Sequence, residues 1–172
     1  VQRGRKGRSI TRPLKALDAV GMDICYGDGV SPGGYSCCLM LVDRATRKTW
    51  VYGLKDMNGE TISDALWKFF IDAGGFPRRI QCDFDPKFMG GKVRKLLNSH
   101  AIRLTAAPPN RQSQNGLVES HWKIACAMAR SLLVEAQLPK ILWFWAVREA
   151  VQRMNFIPVE VPTSEVDAAG NT

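Results

Sequence analysis

The order in which hydrophobic periodicity changes along the chain constrains its fold most. Three segments, 20–26, 35–42 and 49–54, read as strands. Asp28-Gly29 and Pro32-Gly33-Gly34 supply the turn chemistry of the first connection, and Arg44 to Lys48 that of the second. The period then lengthens. Asn58 offers a helix cap, Ile62, Leu66, Phe69, Phe70 and Ala73 recur at helical spacing, and Gly74-Gly75 closes the run. A short strand leads to Cys82-Asp83, a helix turns Val93, Leu96 and Leu97 inward, and a strand follows at 102–106. Pro108-Pro109-Asn110 breaks the chain before a long helix over 115–136, whose predicted buried face is Val118, Trp122, Ala125, Ala129, Leu132 and Ala136. Pro139 opens a last amphipathic helix that reaches about Phe156. Three strands followed by helix, strand, helix, strand, helix, helix make an α/β architecture with five strands in one mixed sheet flanked by helices.

Several classes are excluded. There is no G-x-G-x-x-G and no Gly-Lys-Ser/Thr phosphate loop, so a bound nucleotide has no support. The longest apolar run, Ile141 to Val147, is far short of the ~18 residues of a membrane span. The basic N-terminus is not followed by the apolar stretch of a secretory signal. Five cysteines with no C-x-x-C pair, and only His100 and His121 beside them, cannot build a zinc site of ordinary spacing; free thiols in an intracellular protein are expected. A first residue of Val points to a piece of a longer polypeptide.

The formal charge of +8 is unevenly spread: +6 over residues 1–15, −3 over 16–75, +7 over 76–130 and −2 over 131–172. Residues 1–15 mix Gly with Arg and Lys and read as a basic arm; 16–158 form the core domain and 159–172 a C-terminal tail. In the basic 76–130 stretch the only acids are Asp83, Asp85 and Glu119.

Asp23 lies in the first strand and Asp83 at the end of the fourth, where neighbouring strands can bring two carboxylates together. Glu119 follows in the first turns of the long helix, 35 residues intervening after Asp83. Three hard oxygen donors without histidine suit Mg²⁺ or Mn²⁺, and two such ions can activate a hydroxyl and stabilise the leaving oxygen of an in-line phosphoryl transfer.

The words around these acids resemble a family. Arg111-Gln112-Ser113-Gln114-Asn115-Gly116-Leu117-Val118-Glu119-Ser120 is similar to the motif carrying the catalytic Glu of retroviral and retrotransposon integrases. Pro13-Leu14 leading to Met22-Asp23-Ile24 looks like the segment with their first Asp. Leu138-Pro139 through Trp143, Ala146-Val147 and Asn155-Phe156-Ile157-Pro158 resembles the helix that closes the core in copia-type elements. One departure stands out: Cys82-Asp83-Phe84-Asp85-Pro86-Lys87-Phe88 keeps the second Asp and the final Phe but not the Asn-Gly between them, so Asp85 competes with Asp83.

The resemblance implies a ribonuclease-H-like fold and DNA integration: a metal-dependent polynucleotidyl transferase, with endonuclease-type trimming of 3′ ends, that joins 3′-hydroxyl ends of retroelement DNA to target DNA. Asp23, Asp83 and Glu119 would be its catalytic residues and the ligands of two Mg²⁺ or Mn²⁺ ions. Lys123, four residues after the Glu, matches a DNA-contacting position, and Arg130 continues its stripe along the helix. Arg111, Gln114 and Asn115 belong to a polar loop suited to phosphates and bases. The expected partners are retroelement DNA ends, target DNA, a second copy in a homodimer or higher multimer, and other domains of a longer polyprotein, since the family's zinc-binding domain does not occur here; no membrane is expected. The nucleus or a cytoplasmic virus-like particle is the expected location.

Overall fold

The structure, a computed structural model, describes residues 15–107 and 116–158. Strands β1 (Val20–Ser31), β2 (Tyr35–Asp43) and β3 (Thr49–Leu54) form an antiparallel meander. The β1–β2 turn takes Gly33 and Gly34 at φ +100° and +79°, a region that favours glycine. Helix α1 (Gly59–Ala73) starts where Asn58 Oδ1 accepts from the Glu60 and Thr61 N–H groups at 3.0 and 2.8 Å, and stops at Gly74, φ +73°. The chain then lays β4 (Arg79–Asp83) parallel to β1 and, after α2 (Pro86–Met89) and α3 (Gly91–Ser99), β5 (Arg103–Ala107) parallel to β4. Helix α4 (Gly116–Glu135), one 3₁₀ turn (Lys140–Leu142) and α5 (Trp143–Met154) complete it. The sheet order is β3-β2-β1-β4-β5, the predicted single mixed sheet of five strands.

Alternation sorts the strands between two cores. Val20, Met22, Ile24, Leu39, Leu41 and Ile80 pack with α1 and α3 through Leu66, Phe69, Val93 and Leu97. Cys25, Cys38, Met40 and Val42 pack with α4 and α5 through Val118, Ala125, Ala129, Phe144, Val147 and Ala150. The central strands are therefore apolar on both faces, and Asp23 is the one charged residue within 20–26.

The structure departs from expectation in four places. β1 continues past residue 26 to a buried Ser31 through a largely exposed stretch, 26–30, with a register shift between Tyr26 and Ser31; that stretch carries no apolar period. Trp143 lies across Gly27, its Nε1–H donating to the Gly29 carbonyl at 3.0 Å. The single turn α2 has too few residues for a periodic signal. On α4 the buried residues are Val118, Ala125, Ala129 and Leu133, with Leu132 half-buried and Ala136 exposed. The predicted face steps by alternating four and three residues, a period of 3.5, and a straight helix drifts from that by about 20° per heptad. Finally, the run from Pro139 is a 3₁₀ turn and then α5, not one helix. All five cysteines are free. No described helix is long and apolar enough to cross a membrane. The arm, apart from Lys15, and the tail lie outside the described residues.

Candidate active site

The β1–β4 pairing sets Val20 opposite Ile80 and Gly21 opposite Gln81; the same offset of 60, carried two residues further, brings Asp23 level with Asp83. Met22 and Cys82 face the α1–α3 core, so Asp23 and Asp83 project to the other face, the one that α4 covers through Val118, Ala125 and Ala129. Glu119 stands in the first turn of α4.

A clamp holds that turn against the sheet. Thr49 Oγ1 lies 2.8 Å from His121 Nδ1, and Asn155, at the end of α5, accepts from the Thr49 N–H at 2.9 Å and donates from Nδ2 to the Thr49 carbonyl at 2.8 Å. His121 is thus a strut between α4 and β3. Burial, and then the Arg47 charge, holds its pKa below the ordinary value.

Asp23 is half-buried and pushed up to about 6. Burial is the main cause; the Ile24 N–H, donating to Oδ1 at 2.8 Å, opposes it, and the charges of Asp83, Glu119 and Asp85 add to it. The Cys82 thiol, pushed up to about 12 chiefly by burial, also feels Asp83, Asp23 and Asp85. One negative field therefore spans β1, β4 and α4. Among the described residues no Lys or Arg forms an ion pair with Asp23, Asp83 or Glu119; the ion pairs are Lys87–Asp85, Lys92–Glu60 and Arg153–Glu149. Nor do any three described acidic, His or Cys side chains close to mutual ligating distance, as mutual repulsion between carboxylates favours. An all-oxygen donor set of carboxylates, Asp23 half-buried and Asp83 and Glu119 exposed, none ion-paired among the described residues, fits a hard divalent cation, and these are the residues that could hold one.

Asp85 has another task. Its Oδ1 accepts from the Lys87 N–H at 2.9 Å as the cap of α2, with Lys87 Nζ 3.7 Å from Oδ2. Lys123 and Arg130 are both exposed on α4; Lys123 makes no ion pair with Glu119, and Arg130 Nε donates to the Cys126 carbonyl at 3.2 Å. Arg111, Gln114 and Asn115 lie outside the described residues. Two arginines that motif reading passes over, Arg79 and Arg103, are paired in register on this same face; only the β4–β5 alignment reveals them.

The family model described as integrase core domain matches residues 14–112. The retrovirus-related Pol polyprotein from transposon TNT 1-94 of Nicotiana tabacum is 30% identical over 155 residues, covering 87% of this chain and 12% of that protein. The one from transposon RE2 of Arabidopsis thaliana is 29% identical over 147 residues, 84% of this chain and 10% of that protein. The chain thus spans about a tenth of the length of these curated relatives. Among solved structures, the HTLV-2 integrase catalytic core domain in complex with magnesium, dimeric form, superposes with a TM-score of 0.68 at 21% identity, covering 90% of this chain and 97% of that one. A chain of the simian T-cell lymphotropic virus intasome in complex with a PP2A regulatory subunit gives 0.73 at 20% identity, covering 90% and 54%. The likeness is one of fold, and the fold is ribonuclease-H-like. With more than half of its residues matched by that model, the chain belongs to the integrase core domain family.

Proposed function

We propose that this chain is the catalytic core of a retroelement integrase, a metal-dependent polynucleotidyl transferase that joins 3′-hydroxyl DNA ends to target DNA by direct transesterification and trims those ends beforehand. What supports this reading is that Asp23 and Asp83 stand level on neighbouring strands, with Glu119 in the first turn of the helix packed on that face, none of them ion-paired to a described cation, in a chain of this family. The magnesium complex of the HTLV-2 integrase core domain agrees with a divalent ion here. Two Mg²⁺ or Mn²⁺ ions, when bound, would supply activation of the attacking hydroxyl and charge neutralisation at the leaving oxygen.

The chain's own residues do the positioning. Asp23 and Asp83 project from adjacent rigid strands, and Glu119 is set by α4 and by the His121–Thr49–Asn155 clamp. Catalysis of this type rests on orientation and electrostatics, so ligands on strands and a clamped helix suit it. Lys123 and Arg130, with Arg111, Gln114 and Asn115, contact the DNA. The core, residues 16–158, works between the basic arm of 1–15 and the tail of 159–172, as a homodimer or larger multimer inside a longer polyprotein, in the nucleus or a cytoplasmic virus-like particle.

The test is joining and disintegration of a branched DNA substrate with Mn²⁺ or Mg²⁺. Wild-type protein is expected to join strands, and Glu119→Gln to lose nearly all joining with an unchanged melting temperature. Near-normal joining by Glu119→Gln sinks the site assignment. Binding without turnover by the wild type would mark a non-catalytic module, and cutting without joining a different enzyme of this fold.

A further inference from the structure

On the face that carries Asp23 and Asp83, the outward residues of β4 are Arg79, Gln81 and Asp83, and those of β5 are Arg103 and Thr105, because Ile80, Cys82 and Leu104 face the α1–α3 core. The register sets Arg79 directly opposite Arg103 and Gln81 opposite Thr105. Opposed like charges on neighbouring strands are unfavourable by themselves. Arg44, anchored after β2 by its N–H to the Ala19 carbonyl at 2.9 Å, reaches over β1 and donates from Nη1 to Gln81 Oε1. Arg44 is half-buried, and its guanidinium is disfavoured by burial and then by the charges of Arg79 and Arg47.

None of these arginines forms an ion pair with a described acid, and Arg79 Nε is buried with no hydrogen-bond partner among the described residues. Helices α4 and α5 pack over β1, β2 and β3. A row of cations on one sheet face, Arg44 and Arg79 half-buried and Arg103 exposed, with one buried donor unmatched among the described residues, is costly to the folded chain alone; an anion would satisfy it.

We propose that Arg44, Arg79 and Arg103 form a track for the backbone phosphates of DNA, running from the carboxylates along β4 toward the β2–β3 turn. It rests on the reading of the chain as a DNA-joining core and adds the direction in which one DNA strand leaves the reacting phosphate. Two residues of strand span roughly 6.6 Å. Gln81, with Arg44 bound to it, is thus one such step from Asp83, and the Arg79–Arg103 pair two steps, a spacing suited to successive phosphates on one strand. Guanidinium forks are well matched to phosphate oxygens. This track and the Lys123–Arg130 stripe on α4 diverge from the same carboxylates, as a site holding two DNA segments requires.

The experiment uses the whole chain and labelled duplex DNA, with binding followed by fluorescence anisotropy over a KCl series. For Arg79→Gln/Arg103→Gln, loss of two phosphate contacts should lower the slope of log K against log salt by about 1.8, which is roughly 60-fold weaker binding at ~0.1 M KCl. Its melting temperature should equal or exceed that of the wild type, since like-charge repulsion is relieved; a merely structural role would lower it. Arg103→Gln alone, at an exposed position, should lower the slope by about 0.9 and serves if the double variant folds poorly. Uncharged methylphosphonate linkages then identify the DNA, placed singly in the target arm or the element arm of a branched substrate. The wild type should lose disintegration rate at a linkage in one arm, and the double variant should be indifferent to it. An unchanged salt slope in both variants, or additive losses at every linkage, overturns the track. A wild type that binds no DNA refutes the parent function instead.

Discussion

Asn155→Ala tests the clamp that presents the first turn of α4. Thr49 opens the edge strand β3, and its N–H and C=O, turned away from β2, are both satisfied by the Asn155 side chain, at 2.9 and 2.8 Å. Thr49 is only 1% exposed, so its peptide groups have little access to water. An orphaned buried backbone group costs about 1–3 kcal/mol. Asn155 itself is exposed, and its truncation opens a route for water, which places the pair near about 2 kcal/mol in total. For a domain of this size that is a fall of about 4–8 °C in melting temperature, to be read by circular dichroism. Asn155→Asp should fall between, because a carboxylate accepts the Thr49 N–H but cannot donate to its carbonyl. Joining activity should drop in the order wild type, Asp, Ala, since Thr49 also bonds His121, two residues beyond Glu119. An alanine variant melting within about 1 °C of wild type would refute the clamp.

Gly27→Ala would drive a methyl group into the Trp143 indole; a loss of about 1–3 kcal/mol and a red-shifted tryptophan emission are expected, and an unshifted spectrum with full stability would contradict the packing. Asp85→Ala should lose about 1 kcal/mol from the cap of α2 yet keep metal-dependent joining, whereas Asp83→Ala should keep the melting temperature and lose joining; the reverse pattern would exchange their roles. Burial, and then the bond from Tyr52 Oη to Asp72 Oδ2 at 2.7 Å, raises the Tyr52 phenol above its ordinary range. The folded chain therefore keeps that proton when the unfolded chain releases it near pH ~10, and the stability it contributes, full below that pH, fades as pH rises through it. Urea melts should show wild type losing stability relative to Tyr52→Phe between about pH 9 and 11; parallel curves would refute this.

What could be read from the sequence is what local chemistry determines. The cap at Asn58 and the stop at Gly74 need only neighbouring residues, and both stand where their residue types put them. The strands of the meander follow from alternation and turn residues because each is buried where it alternates; β1 outruns its signal only in the largely exposed stretch before Ser31. Register and spacing favour Asp83 over Asp85, at gaps of 35 and 33 residues before Glu119, but leave Asp85 without a role of its own. That Asp85 caps α2, its carboxylate accepting from the Lys87 N–H, shows only once the chain has folded. Arg79 and Arg103 carry no motif at all. Their significance lies in a register between strands 24 residues apart in sequence, and no window along the chain contains it.

The mixed sheet explains why acids and arginines share one face. The antiparallel half, β1 to β3, is sandwiched between α1 below and α4 and α5 above. The parallel half, β4 and β5, is reached through α2 and α3, and α3 packs into the α1 core; the crossover thus spends its apolar surface on one side of the sheet. The other side of β4 and β5 carries charge: Arg79, Asp83 and Arg103 occupy positions that would need apolar residues under a helix. Asp23 sits on the border, in a strand apolar on both faces, level with the last residue of β4. A carboxylate there can be half-buried, and so held by the packed half, while facing the half that lies outside the α4–α5 core. The connectivity that makes the sheet mixed is therefore also what places a half-buried acid beside a cationic floor outside the α4–α5 core.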